Sequence, residues 1–125
     1  MKSWVVALLL LISSSALAAA PLQVFGGHDH KTYLGCLTCS EMSPDSIMNP
    51  FSTYGNQFNP ESIMNQFGEY GSRFGMYSAC NAFALDPPVI VDKNGNYYRR
   101  LSVNDMVAIK DRGIRSWIKG IGASH

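Results

Sequence analysis

Hydrophobic positions change their spacing several times along this chain, and each spacing predicts a different element. Residues 4–12 form an unbroken apolar run behind a basic start at Lys2. A small, mildly polar stretch follows, in which Ala16-Leu17-Ala18 fits the small-x-small cleavage rule. Residues 1–18 are therefore expected to be a secretory signal peptide, too short to span a bilayer, and 19–125 a single mature module. Val24-Phe25, the polar stretch Gly26 to Lys31 and the segment from Thr32 predict a β-hairpin over 22–40. Val89-Ile90-Val91, the turn dipeptide Asn94-Gly95 and a return strand from Tyr97 predict a second over 88–104. The two are related in sequence at a constant offset, with Tyr33 matching Tyr97, Leu37 matching Leu101, Thr38 matching Ser102 and Met42 matching Met106. An isolated hairpin is marginal in water, so the pair is expected to join into one small antiparallel sheet.

Between the hairpins a tandem pattern recurs over 43–58, 59–74 and 75–90. Ser46, Ser62 and Ser78 align, as do Ile47, Ile63 and Ala79, and Phe51, Phe67 and Phe83. Ser43-Pro44-Asp45 and Asn59-Pro60-Glu61 carry a capping side chain, a proline suited to a first helical position and an acid near the positive helix end. Pro50 and Gly68 stop any helix early, so each unit is expected to be a short helix plus a loop closed at Gly55 or Gly71 by positive φ. One unit cannot bury its own Ile, Phe and Tyr, so three stacked units would share them, with the phenylalanines in the core. The asparagine of each unit is expected to bond neighbouring loop backbone. In the tail, Met106, Ile109, Gly113, Trp117 and Ile121 keep helical spacing, which predicts a C-terminal amphipathic helix over 104–121, opened by Asn104-Asp105 and weakened near Gly113. The fold class is α+β.

Charge sharpens this picture. From Pro21 to Asp92 seven acids face two bases, net −5, and from Lys93 onward seven bases face two acids, net +5. The basic tail is expected to fold back on the acidic middle, with a basic surface for an anionic partner as the alternative. The cysteines are Cys36, Cys39 and Cys80. In an exported chain a disulfide is the default, and residues three apart in a strand point to opposite faces. Cys80 is therefore expected to bridge to Cys36 or Cys39. His28, His30, Cys36 and Cys39 are four nitrogen and sulfur donors on one hairpin, which makes zinc the alternative cofactor and a metal-binding or thiol-active periplasmic protein the alternative function. Asp92, Asn94 and Asn96 resemble a fragment of a calcium loop, but the closing glutamate is missing. No nucleophile, base and oxyanion set assembles, so neither an enzyme nor any other cofactor is expected. Tyr97-Tyr98-Arg99-Arg100 alone does not make a nucleic-acid motif.

"YLGCLTCSEMSPDSIMNPFSTYGNQF", "PESIMNQFGEYGSRF" and "PPVIVDKNGNYYRRLSVN" resemble an uncharacterised group of exported bacterial proteins. That group carries tandem segments of the type Asp-Ser-x-x-Asn-x-Tyr-Gly-x-Tyr-Gly-Ser-x-Tyr, sometimes attached to a thermonuclease-like domain. The resemblance covers about residues 32–104 and implies export and a repeat-built module, with no catalytic residues to carry over. This chain differs in placing Phe at several of the tyrosine positions and in its basic tail. The expected function is a small binding or structural accessory protein of the periplasm or cell surface, with another exported protein or an envelope component as partner.

Overall fold

A computed structural model describes residues 20–125; the predicted signal peptide, 1–18, lies outside the described residues. The two hairpins form as their patterns predict. Strands β1 (Gln23–Gly26) and β2 (Thr32–Cys36) make the first, and β3 (Val89–Val91) and β4 (Tyr97–Arg100) the second. They join through their leading strands into a four-stranded antiparallel sheet of order β2-β1-β3-β4. Val24 faces Ile90 at the centre of that join, and both are completely buried. Each hairpin carries a bulge in its pairing. The return strands hold residues with positive φ at Gly35 (φ 111°) and Arg99 (φ 74°), which are matching positions of the two hairpins.

Past each return strand the chain turns a corner and comes back parallel to the strand it has left. Cys36 bridges to Ser46 and Arg100 to Ala108. The backbone bonds agree in kind: Cys36 N–H donates to Asp45 O and Ile47 N–H to Cys36 O, while Arg100 N–H donates to Val107 O and Ile109 N–H to Arg100 O. These corners deliver Ile47 and Ile109 to the core that also holds Leu34 and Leu101.

The segment between the hairpins differs from expectation. Residues 43–88 contain neither helix nor strand and run as linked turns. The reason is local competition for the backbone. The side-chain oxygens of Ser46, Ser62 and Ser78 accept from the N–H groups of Met48, Met64 and Cys80 at 3.0–3.1 Å. Asn49, Asn65 and Asn81 then accept from the N–H groups of Phe51, Phe67 and Phe83. These bonds occupy donors that a helix would use, and Pro50 has no N–H to offer. The amide groups of the same asparagines donate to the carbonyls of Ser43, Asn59 and Gly75 at 2.8–3.2 Å.

The phenylalanines are not core residues. Ile47, Ile63 and Ala79, with Ser46, Ser62 and Ser78 beside them, have no exposed surface, whereas Phe51, Phe67 and Phe83 are 95%, 87% and 89% exposed. Isoleucine, serine and Tyr70 fill the interior, with Tyr54 and Tyr77 partly buried against it, and the asparagine turn sends the following aromatic outward. Gly55 and Gly71 also serve differently from expectation, since neither has positive φ. A Cβ on either would overlap the carbonyl oxygens of the preceding turn, so glycine is required there by close approach.

Helix α1 (Arg112–Ser124) starts later than its apolar spacing predicts. Asp111 caps it, accepting from the Ile114 N–H at 2.9 Å. Asn104 instead opens a turn and donates to Ala82 O. Gly113 does not break the helix. Ile118 is buried, with Ile114, Trp117 and Ile121 packed beside it on the core. At Gly122 a Cβ would stand 3.0 Å from Val103 Cγ1, which is why the helix can lie this close. No helix among the described residues is long and apolar enough to cross a membrane.

Candidate functional site

The expected metal set does not assemble. Cys36 and Cys39 are joined in a disulfide, Cα–Cα 5.6 Å, so neither sulfur is a free thiolate. The same bond corrects the expected pairing of Cys80 with Cys36 or Cys39. β2 ends at Cys36 and the chain turns at once, which brings together residues that a continuing strand would hold on opposite faces. Cys80 is free and buried, and burial pushes its thiol up to about 12, against the pull of Arg73. His28 is exposed. His30 Nε2 lies 2.6 Å from Asp86 Oδ1 and so is engaged away from the cysteines. No group of three or more metal-ligating side chains occurs among the described residues.

His30 belongs to a clasp between the hairpins. Arg100 donates to Asp86 Oδ1 and to Pro87 O, each at 2.5 Å. Burial works against the Asp86 charge, but the bonds from His30 and Arg100 hold its carboxyl below the usual range. This is the one ion pair with arginine that ties the basic tail to the acidic middle among the described residues; Lys119 and Arg115 pair with Asp105, inside the tail. Asp92 is held down to about 2, first by the Asn96 side chain and further by the Asn94 and Asn96 N–H groups and Tyr98. Four donors thus occupy the carboxylate that a calcium loop would need. Tyr33 donates to Asp45 at 2.6 Å; burial and that carboxylate raise the phenol above its ordinary value, and the same bond lowers Asp45.

The open concave surface lies elsewhere, where α1 crosses the turn segment. Two clefts occupy it, of about 750 and 640 Å³. Phe58 and Phe67 line one, against Ile121, Ser124 and His125 at the end of α1. Phe74 and Phe83 line the other, against Lys119, Gly122 and Ala123. These phenylalanines are 80–90% exposed. Phe58 and Phe67 align with Phe74 and Phe83 in the tandem sequence pattern, and the correspondence extends further. Met64 in the first cleft stands where Cys80 stands in the second, and Gln57 where Arg73 stands. His125 fastens the helix end by bonding Gly71 O through Nδ1 at 2.7 Å. Volumes of this size fall within the range of small-molecule sites.

No protein-family model, curated protein or solved structure matches this chain. The phenylalanines escaped sequence reasoning because period and apolarity together suggested a core. A signal against that was present: Phe58, Phe67 and Phe74 are each flanked on both sides by Gln, Asn, Arg or Gly, with no apolar neighbour.

Proposed function

We propose that this chain is an exported binding or structural accessory protein whose ligand docks on the phenylalanine surface of the tandem units 43–58, 59–74 and 75–90. The carrying observation is the outward projection of Phe51, Phe58, Phe67, Phe74 and Phe83, each at least 80% exposed. Large exposed apolar surface marks an interaction site, and these rings recur at fixed positions of the tandem units rather than being scattered singly. Burying one such ring contributes roughly 1.5–3 kcal/mol, so a ligand covering several has ample driving force. The units are read as layers of one stack between the hairpins. In support, Ser62 Oγ donates to Tyr54 O, Ala79 N–H to Tyr70 O and Val103 N–H to Ala79 O, each bond linking one unit to the one before or to the second hairpin.

Export to the periplasm or the medium is supported by the apolar leader at residues 4–12 and by the Cys36–Cys39 disulfide, a bond of oxidising compartments. The resemblance to exported bacterial repeat proteins points the same way. The partner is then another exported protein or an envelope component, and the role assigned is binding, with no reaction. The test is a screen of glycans, peptides and lipid vesicles by thermal shift, run with the wild-type protein and a variant carrying Phe58→Ala, Phe67→Ala, Phe74→Ala and Phe83→Ala. The wild type is expected to bind at least one class and the variant to lose it. A variant that retains every interaction of the wild type would falsify the reading.

A further inference from the structure

We infer that the cleft between Phe74, Phe83 and α1 is a site for one small amphipathic monocarboxylate, whose charge is held by Arg73 and whose apolar body lies on the phenylalanines. This rests on the phenylalanine-surface reading above and names a ligand class for one part of that surface. The two clefts are separate: they share no lining residue, and Lys119, Gly122 and Ala123 border one while Ile121, Ser124 and His125 border the other from the opposite side of the helix.

The lining supplies the apolar half of the match. A Cβ on Gly122 would stand 3.0 Å from Val103 Cγ1 and 4.0 Å from Cys80 Cβ, so these three residues meet along the inner side. Cys80 is 5% exposed, and burial raises its thiol, which stays neutral at physiological pH. It packs as a small hydrophobe and brings no negative charge to the cleft. Turn bonds fix the outer walls: the Phe74 N–H donates to Ser72 Oγ at 3.1 Å and the Phe83 N–H to Asn81 Oδ1 at 3.0 Å. The Asn81 amide donates to Gly75 O, so that side chain holds its own turn and leaves the ligand to the rings and Arg73.

Arg73 supplies the charged half. Lys119, the other base in this lining, is bonded to Asp105 at 2.7 Å. Arg73 makes no ion pair among the described residues, and no acid lines the cleft. Its charge reaches the Cys80 thiol, so the guanidinium lies within electrostatic range of the apolar lining. One free guanidinium matches one carboxylate, which it can hold through two parallel N–H bonds. A phosphate monoester carries close to two negative charges near neutral pH and asks for a second cation. The other cleft is a comparison within the same molecule: Phe58 and Phe67 match Phe74 and Phe83, but Gln57 stands where Arg73 stands and neither Arg nor Lys lines it. An apolar molecule fits both clefts, whereas a carboxylate distinguishes them.

Calorimetric titration with octanoate, decanoate and phenylbutyrate tests this, with octanol, octylamine and octyl phosphate as comparison probes. At least one carboxylate is expected to bind with one equivalent per chain, about tenfold tighter than octanol. Arg73→Gln should remove that advantage, a loss of about tenfold, and leave octanol unchanged. Phe74→Ala with Phe83→Ala should weaken the carboxylate and octanol alike. Unchanged thermal midpoints establish that the variants fold. Failure of all three carboxylates to bind overturns the proposal, as does a carboxylate that binds no tighter than octanol or that is indifferent to Arg73→Gln. Tighter binding of octyl phosphate than of octanoate overturns the ligand class, and two equivalents of carboxylate overturn the role of Arg73, since the uncharged cleft would then serve as well. Octanol binding that the double phenylalanine substitution weakens, without any preference for carboxylates, sinks this inference and leaves the phenylalanine-surface reading standing.

Discussion

The corners that follow the two hairpins solve one geometric problem with different chemistry. Each has a residue in the left-handed region and a clamp at the corner. At the first corner that residue is Gly35, where a Cβ would stand 2.7 Å from Tyr54 Cβ and 2.8 Å from Ile47 Cγ1, and the clamp is the Cys36–Cys39 disulfide. At the second it is Arg99, whose guanidinium reaches Met106 O and Val107 O, and Arg115 adds bonds to Ile109 O and Asp105 O. The first corner is packed under the turn segment and admits no side chain. The second lies open enough for arginines to gather carbonyls from solvent. The same backbone path thus tolerates a covalent or a hydrogen-bonded clamp, and local packing decides which residue fits.

The largest contrast is expected at the left-handed residue itself. Gly35→Ala should cost roughly 3–5 kcal/mol, combining left-handed strain with overlap against Ile47 and Tyr54. Arg99→Gly should change stability by about 1 kcal/mol or less, because relief of its φ offsets the lost carbonyl bonds. Urea unfolding measures both, and equal costs would show that packing does not distinguish the corners. The clamps come next. Reducing the Cys36–Cys39 disulfide should remove about 2 kcal/mol, the small value expected for so short a loop. Arg115→Met should remove about 1–2 kcal/mol at the other corner, and the two losses should add if the corners act independently.

Acid gives the smallest effect. Asp92 and Asp86 titrate below the ordinary carboxylate range when folded. Their contribution is therefore present above the unfolded value, about pH 4, and is lost as pH falls through the folded value, which for Asp92 is about 2. Asp92→Asn should flatten the acid limb of the stability curve between those limits. A limb unchanged by that substitution would assign the acid sensitivity to the other lowered carboxylates, Asp86, Asp45 and Asp105.

The strands and turns of both hairpins were readable because alternation, β-branching and Asn94-Gly95 are local signals that the sheet does not override. The asparagine turns were readable for the same reason, since their bonds stay close along the chain. The cysteine pairing was not, because it depends on where β2 stops, a position set by the Ser46 bridge arriving from the next segment. The cap of α1 shifted from Asn104 to Asp111 because the backbone of Val107 and Ile109 is drawn into the bridge with Arg100, a contact from the preceding strand that takes these groups out of a helix.

The recurrence of like residues across 43–58, 59–74 and 75–90 and the kinship of the hairpins are properties of the chain, visible without coordinates. Which recurring side chain faces inward is not. Ile63 and Phe67 are both apolar and both periodic, yet one is fully buried and the other 87% exposed. Apolarity says only that a residue gains by leaving water. The limited space between sheet, turns and α1 sets which residue does so, and serine, isoleucine and tyrosine occupy it first. The phenylalanines are left outside, where two clefts form between them and a helix that the sequence alone had not placed there.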